Sequence, residues 1–150
     1  MKNIWDTEYE TKAPVTDTEV IEAEKKLGIK LPESYIELCK IHNGGSIIYD
    51  SFPTSVPTGW ADDHVSVTSI AGIDEEGILS SSYYIEEWEL PQNIVLLEGD
   101  GHWWIAMDYR ERNENPSIIY IDLEADVDPF ILELAPDFKS FVEGLYTHED

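Results

Sequence analysis

Residues 94–123 constrain this chain more than any other stretch. They hold three apolar and aromatic runs of strand length, residues 94–98, 102–109 and 117–123, separated by Gly99-Asp100-Gly101 and by a polar loop. Runs of that length divided by turn-forming residues fold as an antiparallel meander, because glycine supplies the backbone freedom of a tight turn. Successive strand residues point to opposite faces. Trp103, Ile105 and Met107 therefore share one side of the second strand, with His102, Trp104, Ala106 and Asp108 on the other. In the third strand Ile119, Ile121 and Leu123 oppose Ile118, Tyr120 and Asp122.

Helices flank the meander. Thr16 and Glu19 form a capping-box pair, Val15 and Val20 suit a hydrophobic staple, and Val20, Ala23, Glu24 and Leu27 make one stripe ended by Gly28. Leu31-Pro32 opens a second helix that Asn43-Gly44-Gly45 closes, with Tyr35, Leu38, Cys39 and His42 on its inner face. The pattern then predicts a short strand at 46–49, a loop over 50–63 with Pro53, Pro57 and Gly59, and a strand at 65–70. A helix within 74–88 would turn Ile78, Ile85 and Trp88 inward, and a last helix over 136–146 has Phe138, Phe141, Val142 and Leu145 on one stripe. Residues 1–14, with Trp5 and Tyr9, read as a partly docked arm. The expected fold is α+β: a mostly antiparallel sheet with a central meander and helices packed on one side, an N-terminal helical hairpin and a C-terminal helix. All 150 residues are expected to form one domain.

Charge narrows the partners. With 32 Asp+Glu against 9 Lys+Arg the formal net charge is -23, which disfavours nucleic acid, since phosphate binding draws on Lys and Arg. An acidic surface favours solubility and rapid capture of basic partners. The lone Cys39, an opening without a signal-type apolar run, and no bilayer-length apolar segment point to the cytoplasm.

If the fully apolar strand faces meet the helices, the remaining face carries Glu98, His102, Trp104, Asp108, Tyr120 and Asp122, extended by Trp60, Asp62 and Asp63 of the loop. Aromatics interleaved with carboxylates suit a basic protein partner, because flat side chains anchor and fixed charges orient. On that reading Trp104→Ala or Asp108→Ala weakens partner binding by about 2 kcal/mol with the fold intact, whereas Trp103→Ala destabilises the fold by about 3 to 5 kcal/mol. The alternative is that loop 50–63 simply covers Trp104 and Tyr120.

Catalytic and metal motifs are weak. Asp100, His102 and Asp108 suggest acid/base or metal chemistry, as in a small metal-dependent hydrolase, without a second ligand pair at a diagnostic spacing. Asp122, Glu124, Asp126, Asp128 and Glu133 imitate a calcium loop, but Val127 stands where glycine is needed and Pro129 interrupts the run, so a solvated acidic connector fits better. Cys39 and His42 read as a core cysteine and a helix-terminal histidine. No GxSxG, P-loop, HExxH or CxxC pattern occurs, so no catalytic residue, cofactor or metal is expected.

Several segments resemble one family. Residues 15–45, with Thr16-Asp17-Thr18-Glu19-Val20, Lys25-Lys26-Leu27-Gly28-Ile29-Lys30-Leu31-Pro32 and the closing Asn43-Gly44-Gly45, resemble the opening of the SUKH superfamily of the Smi/Knr type. Residues 99–110 and 118–124 resemble its middle, and the helix containing Phe138 and Phe141 resembles its end. The resemblance implies an α+β fold and, for bacterial members, a non-catalytic immunity protein that binds and neutralises a cognate polymorphic toxin, often a nuclease. Matched positions such as Pro32, Gly44, Gly45, Gly99 and Gly101 inform the fold rather than the specificity. An acidic face would suit the basic substrate groove of a nuclease. A regulatory protein-interaction module, as in the eukaryotic relatives, is the alternative.

Overall fold

The structure, a computed structural model, describes residues 3–8, 10–124 and 130–148. Helix α1, Asp17–Leu27, starts where Thr16 Oγ1 accepts the Glu19 N–H and the Glu19 carboxylate accepts the Thr16 N–H, the expected capping box. It stops at Gly28, whose φ of 69° is the left-handed conformation glycine adopts without strain. Helix α2, Glu33–Cys39, follows Pro32 and buries Tyr35, Leu38 and Cys39; it ends before the Asn43-Gly44-Gly45 segment.

That segment has its own task. Asn43 Nδ2 donates to the Ile73 carbonyl and Asn43 Oδ1 accepts the Ile73 N–H, so its amide clamps residues 71–73 against the end of α2. Gly44 and Gly72 meet backbone to backbone, leaving no room for a side chain at either.

Strand β1, Gly45–Ser46, pairs with β4, Ser69–Ile70, and β2, Ser51–Pro53, pairs with β3, His64–Ser66, both antiparallel. The expected loop over 50–63 therefore begins as a strand, and the expected strand over 65–70 divides between two partners. A 3-10 turn at Ile78–Ser80 leads into α3, Ser81–Glu87, burying Ile78 and Ile85. The meander forms as expected from β5, Ile94–Gly99, β6, Trp103–Asp108, and β7, Ser117–Asp122. A fourth strand, β8, Phe130–Ala135, completes an antiparallel sheet in the order β5-β6-β7-β8 before α4, Phe138–Gly144. The Phe130-Ile131-Leu132-Glu133-Leu134-Ala135 run lacks polar alternation and mixes in helix formers, which hid β8 in the sequence.

Register decides which residues share a face. Trp104 lies opposite Ile121, Ile105 opposite Tyr120 and Trp103 opposite Asp122. Trp104 and Tyr120 thus stand on opposite faces, which corrects the single acidic and aromatic face expected from the sequence. One face carries Val95, Ile105, Met107, Ile118 and Tyr120 against α1, α2 and α4, with Tyr35, Phe138 and Phe141 fully buried among them. The Tyr35 and Phe138 rings meet edge-on at 5.2 Å. The other carries Ile94, Leu96, Trp104, Ala106, Ile119 and Ile121, capped by Ile85 and Leu90 from α3 and the segment after it. Three helices pack on one side, as expected, and α3 closes part of the second. The N-terminal arm is docked: Trp5 is buried, bridges to Ile47 and donates Nε1–H to the Leu38 carbonyl.

Candidate functional site

The β5–β6 turn is built for conformation. Asp100 Oδ1 accepts the N–H groups of His102 and Trp103, an Asx-type turn, and Gly101 adopts φ 107° with Trp88 pressed against it. Gly99 lets the Trp104 ring lie directly on the backbone, and Trp104 Nε1 donates to the Gly101 carbonyl at 3.2 Å. These two glycines shape the hairpin.

Beside this turn, on the face of Trp103 and Tyr120, opens a cleft of about 590 Å³. Loop 54–63 forms its roof. Thr58 orders that loop, donating Oγ1–H to the His64 carbonyl at 2.8 Å and accepting the Trp60 N–H. Trp60 is 46% exposed and meets Trp103 edge-on, ring centroids 5.4 Å apart at 82°. A Cβ on Gly59 would come within 2.6 Å of Asp122 Oδ2, so glycine there permits the roof to close on the floor. On the floor the Tyr120 hydroxyl donates to Asp122 Oδ2 at 3.2 Å while Asp122 Oδ1 accepts the Glu124 N–H at 2.8 Å. Burial, followed by the charge of Asp122, pushes the Tyr120 phenol well above its ordinary value. At the rim His102 Nδ1 lies 3.3 Å from Glu124 Oε1. Asp100, Asp122 and Glu124 line the cleft, and among the described residues no Lys or Arg lines it with them.

Of the sequence candidates, Trp60, His102, Tyr120 and Asp122 meet in this cleft, and Asp62 and Asp63 are exposed on its roof loop, where Asp63 pairs with His64 at 2.8 Å. The others lie elsewhere. Trp104 is 5% exposed and sealed under α3, with the Tyr84 ring 5.3 Å away. Its burial corrects its place on an exposed face. Asp108 sits at the far end of β6, held bidentately by Arg110 at 2.9 and 3.0 Å. Burial alone would raise the Asp108 carboxyl, but the Arg110 bonds outweigh it and hold the group below its usual range. Glu98 accepts the N–H and hydroxyl of Thr68 outside the cleft. Trp103, Asp100 and the roof glycine, Gly59, are lining residues that strand alternation alone did not select.

The candidate acid/base set does not converge. Asp108 and His102 lie at opposite ends of β6, about 20 Å apart at some 3.3 Å per residue. Among the described residues no group of three or more His, Cys, Asp or Glu is placed to hold a metal. Asp126 and Asp128 of the calcium-like run lie outside the described residues. Of its flanking members, Asp122 pairs with Phe130 whereas Glu133 pairs with Ile119 on the opposite face. Cys39 is buried, which pushes its thiol up to about 12, and His42 donates Nδ1–H to the Gly44 carbonyl while its Nε2 accepts the Lys12 N–H. Both are occupied structurally. Among the described residues no helix is long and apolar enough to cross a membrane.

Fold and cleft define an α+β protein with a helical hairpin, a four-stranded meander and an acidic, aromatic recess at the hairpin end. The chain belongs to the SMI1 / KNR4 family (SUKH-1), whose model matches residues 14–144. None of the curated proteins matches it.

Proposed function

We propose that this chain is a non-enzymatic immunity protein of the cytoplasm that acts as one domain, binding and neutralising a cognate protein toxin whose active domain is a basic nuclease. Membership of the SMI1 / KNR4 family supports the immunity class. The observation that carries the partner's chemistry is the cleft beside Trp60, in which exposed indole surface meets Asp100, Asp122 and Glu124 on a chain of net charge -23. Aromatic anchors supply contact area, while the surrounding negative potential accelerates encounter with a positive surface and sets its orientation. The partner-binding surface we assign is the cleft with Trp60, His102, Tyr120 and Asp122, together with Asp62 and Asp63 on its roof.

Mixing the purified chain with the candidate toxin domain encoded beside its gene tests this reading. We expect a complex that is tightest at low ionic strength and blocks the nuclease. No complex at low salt, where attraction between opposite charges is screened least, would sink it. A regulatory interaction module would instead bind unrelated cellular proteins and protect against no toxin.

A further inference from the structure

The cleft has one wall whose chemistry is incomplete within the chain. Asp122 is only 8% exposed, and its hydrogen-bond donors among the described residues, the Tyr120 hydroxyl and the Glu124 N–H, are neutral. Among the described residues no Lys, Arg or His reaches it within ion-pair distance. Carboxylates this far from water are ordinarily matched by a cation. Above it the two indoles of Trp60 and Trp103 stand nearly perpendicular, making a corner in which a flat cation can lie on one ring and meet the edge of the other.

Arginine meets these demands better than lysine. Its guanidinium is planar, stacks on aromatic faces, sheds water more readily than an ammonium, and presents paired donors to a carboxylate. The cleft, at about 590 Å³, has space for one long side chain and the backbone that carries it. Resting on the toxin-binding reading above, we propose that the corner formed by Trp60, Trp103 and Asp122 is the receptor for a single arginine side chain of the partner protein. The guanidinium bonds to the Asp122 carboxylate and stacks on the Trp60 indole.

A capped Gly-Arg-Gly peptide, with its citrulline counterpart as the uncharged isostere, is the probe; the readout is the indole N–H resonances of the full chain. The arginine peptide should shift the Trp60 and Trp103 signals saturably, leave Trp5 unmoved, and bind at least about tenfold more tightly than the citrulline peptide. Asp122→Asn should lower that affinity by about tenfold or more. Trp60→Ala, a change on an exposed loop that does not threaten folding, should do the same. Equal binding of both peptides, unchanged affinity in the Trp60→Ala chain, or shifts spread over all five tryptophans would overturn the proposal. The two readings fail separately. A toxin complex as tight with Asp122→Asn and Trp60→Ala as with the parent removes the arginine receptor and leaves the immunity role standing. Specific arginine binding with no toxin complex does the reverse.

Discussion

The two faces of the β5–β8 sheet are closed by different means, and the neighbouring Trp103 and Trp104 show how. Trp104 points to the face where α3 lies, among Ile85, Ile94, Leu96, Ile119 and Ile121, and is sealed there. Trp103 points to the face of the larger core but sits at its margin, partly buried, with the ring of Trp60 and an open cleft beyond it. One indole is structural filling; the other forms the wall of a recess. The lesson is that the edge of a core, where a loop rather than a helix closes the sheet, is where side chains remain available to a partner.

Truncation separates the faces most sharply. Trp104→Ala should destabilise the fold by about 3 to 5 kcal/mol in denaturant titration, the scale of a large core cavity. A loss within about 0.5 kcal/mol would mean that α3 does not close that face. Trp103→Ala should lose less, about 2 kcal/mol, because part of the ring already faces water and the change removes a buried indole N–H that has no acceptor among the described residues. If Trp103→Ala proved the more damaging, the assignment of the two faces would be reversed.

Acidity sharpens the same contrast, since the α3 face is wholly apolar in its core while the cleft-side face holds a carboxylate, Glu98, opposite Ile105. Burial raises the Glu98 carboxyl above its ordinary value, and the Thr68 hydrogen bonds offset only part of that. A carboxyl with a raised folded-state pKa favours the folded chain at low pH, and that contribution is lost as pH rises through the folded value. The stability of Glu98→Gln relative to the parent should therefore increase as pH climbs through the carboxylate range toward about pH 7. A constant difference across that range would place Glu98 in a solvent-like environment. The smallest stability effect is expected at Trp60→Ala, within about 0.5 kcal/mol by thermal or denaturant melting, because nearly half of the side chain is exposed.

How legible each part was follows from how local its determinants are. The Thr16 and Glu19 capping box, the Gly28 stop and the stripe of Phe138, Phe141 and Val142 are set by residues within a turn or two of each other, and the structure places them as the sequence implies. The three meander strands were equally plain. The faces were not. Alternation fixes which residues share a side, but whether a side meets water depends on α3, a separate element before the meander that Gly77 and three serines signal only weakly. The unbroken apolar runs at 94–97 and 118–121 carry the clue, since strands buried on both faces lose polar alternation. Reading one side of Trp104 as open therefore joined it to Tyr120, although register puts them on opposite sides. The cleft itself depends on loop 54–63 folding back over Asp122, a long-range contact marked in the sequence only by the adjacent Gly59 and Trp60.

Two exposed aromatics on the two sides distinguish whether the cleft face or the α3 face meets the partner. Trp60 stands over the cleft, and Tyr83, 62% exposed, stands on α3. Calorimetric titration of the neighbouring toxin domain into the parent, Trp60→Ala and Tyr83→Ala chains compares them under identical conditions. A loss of about 2 kcal/mol, roughly thirtyfold in Kd, is expected for Trp60→Ala and no measurable loss for Tyr83→Ala. Unchanged affinity in Trp60→Ala with a large loss in Tyr83→Ala would contradict it and move the binding surface to the α3 side.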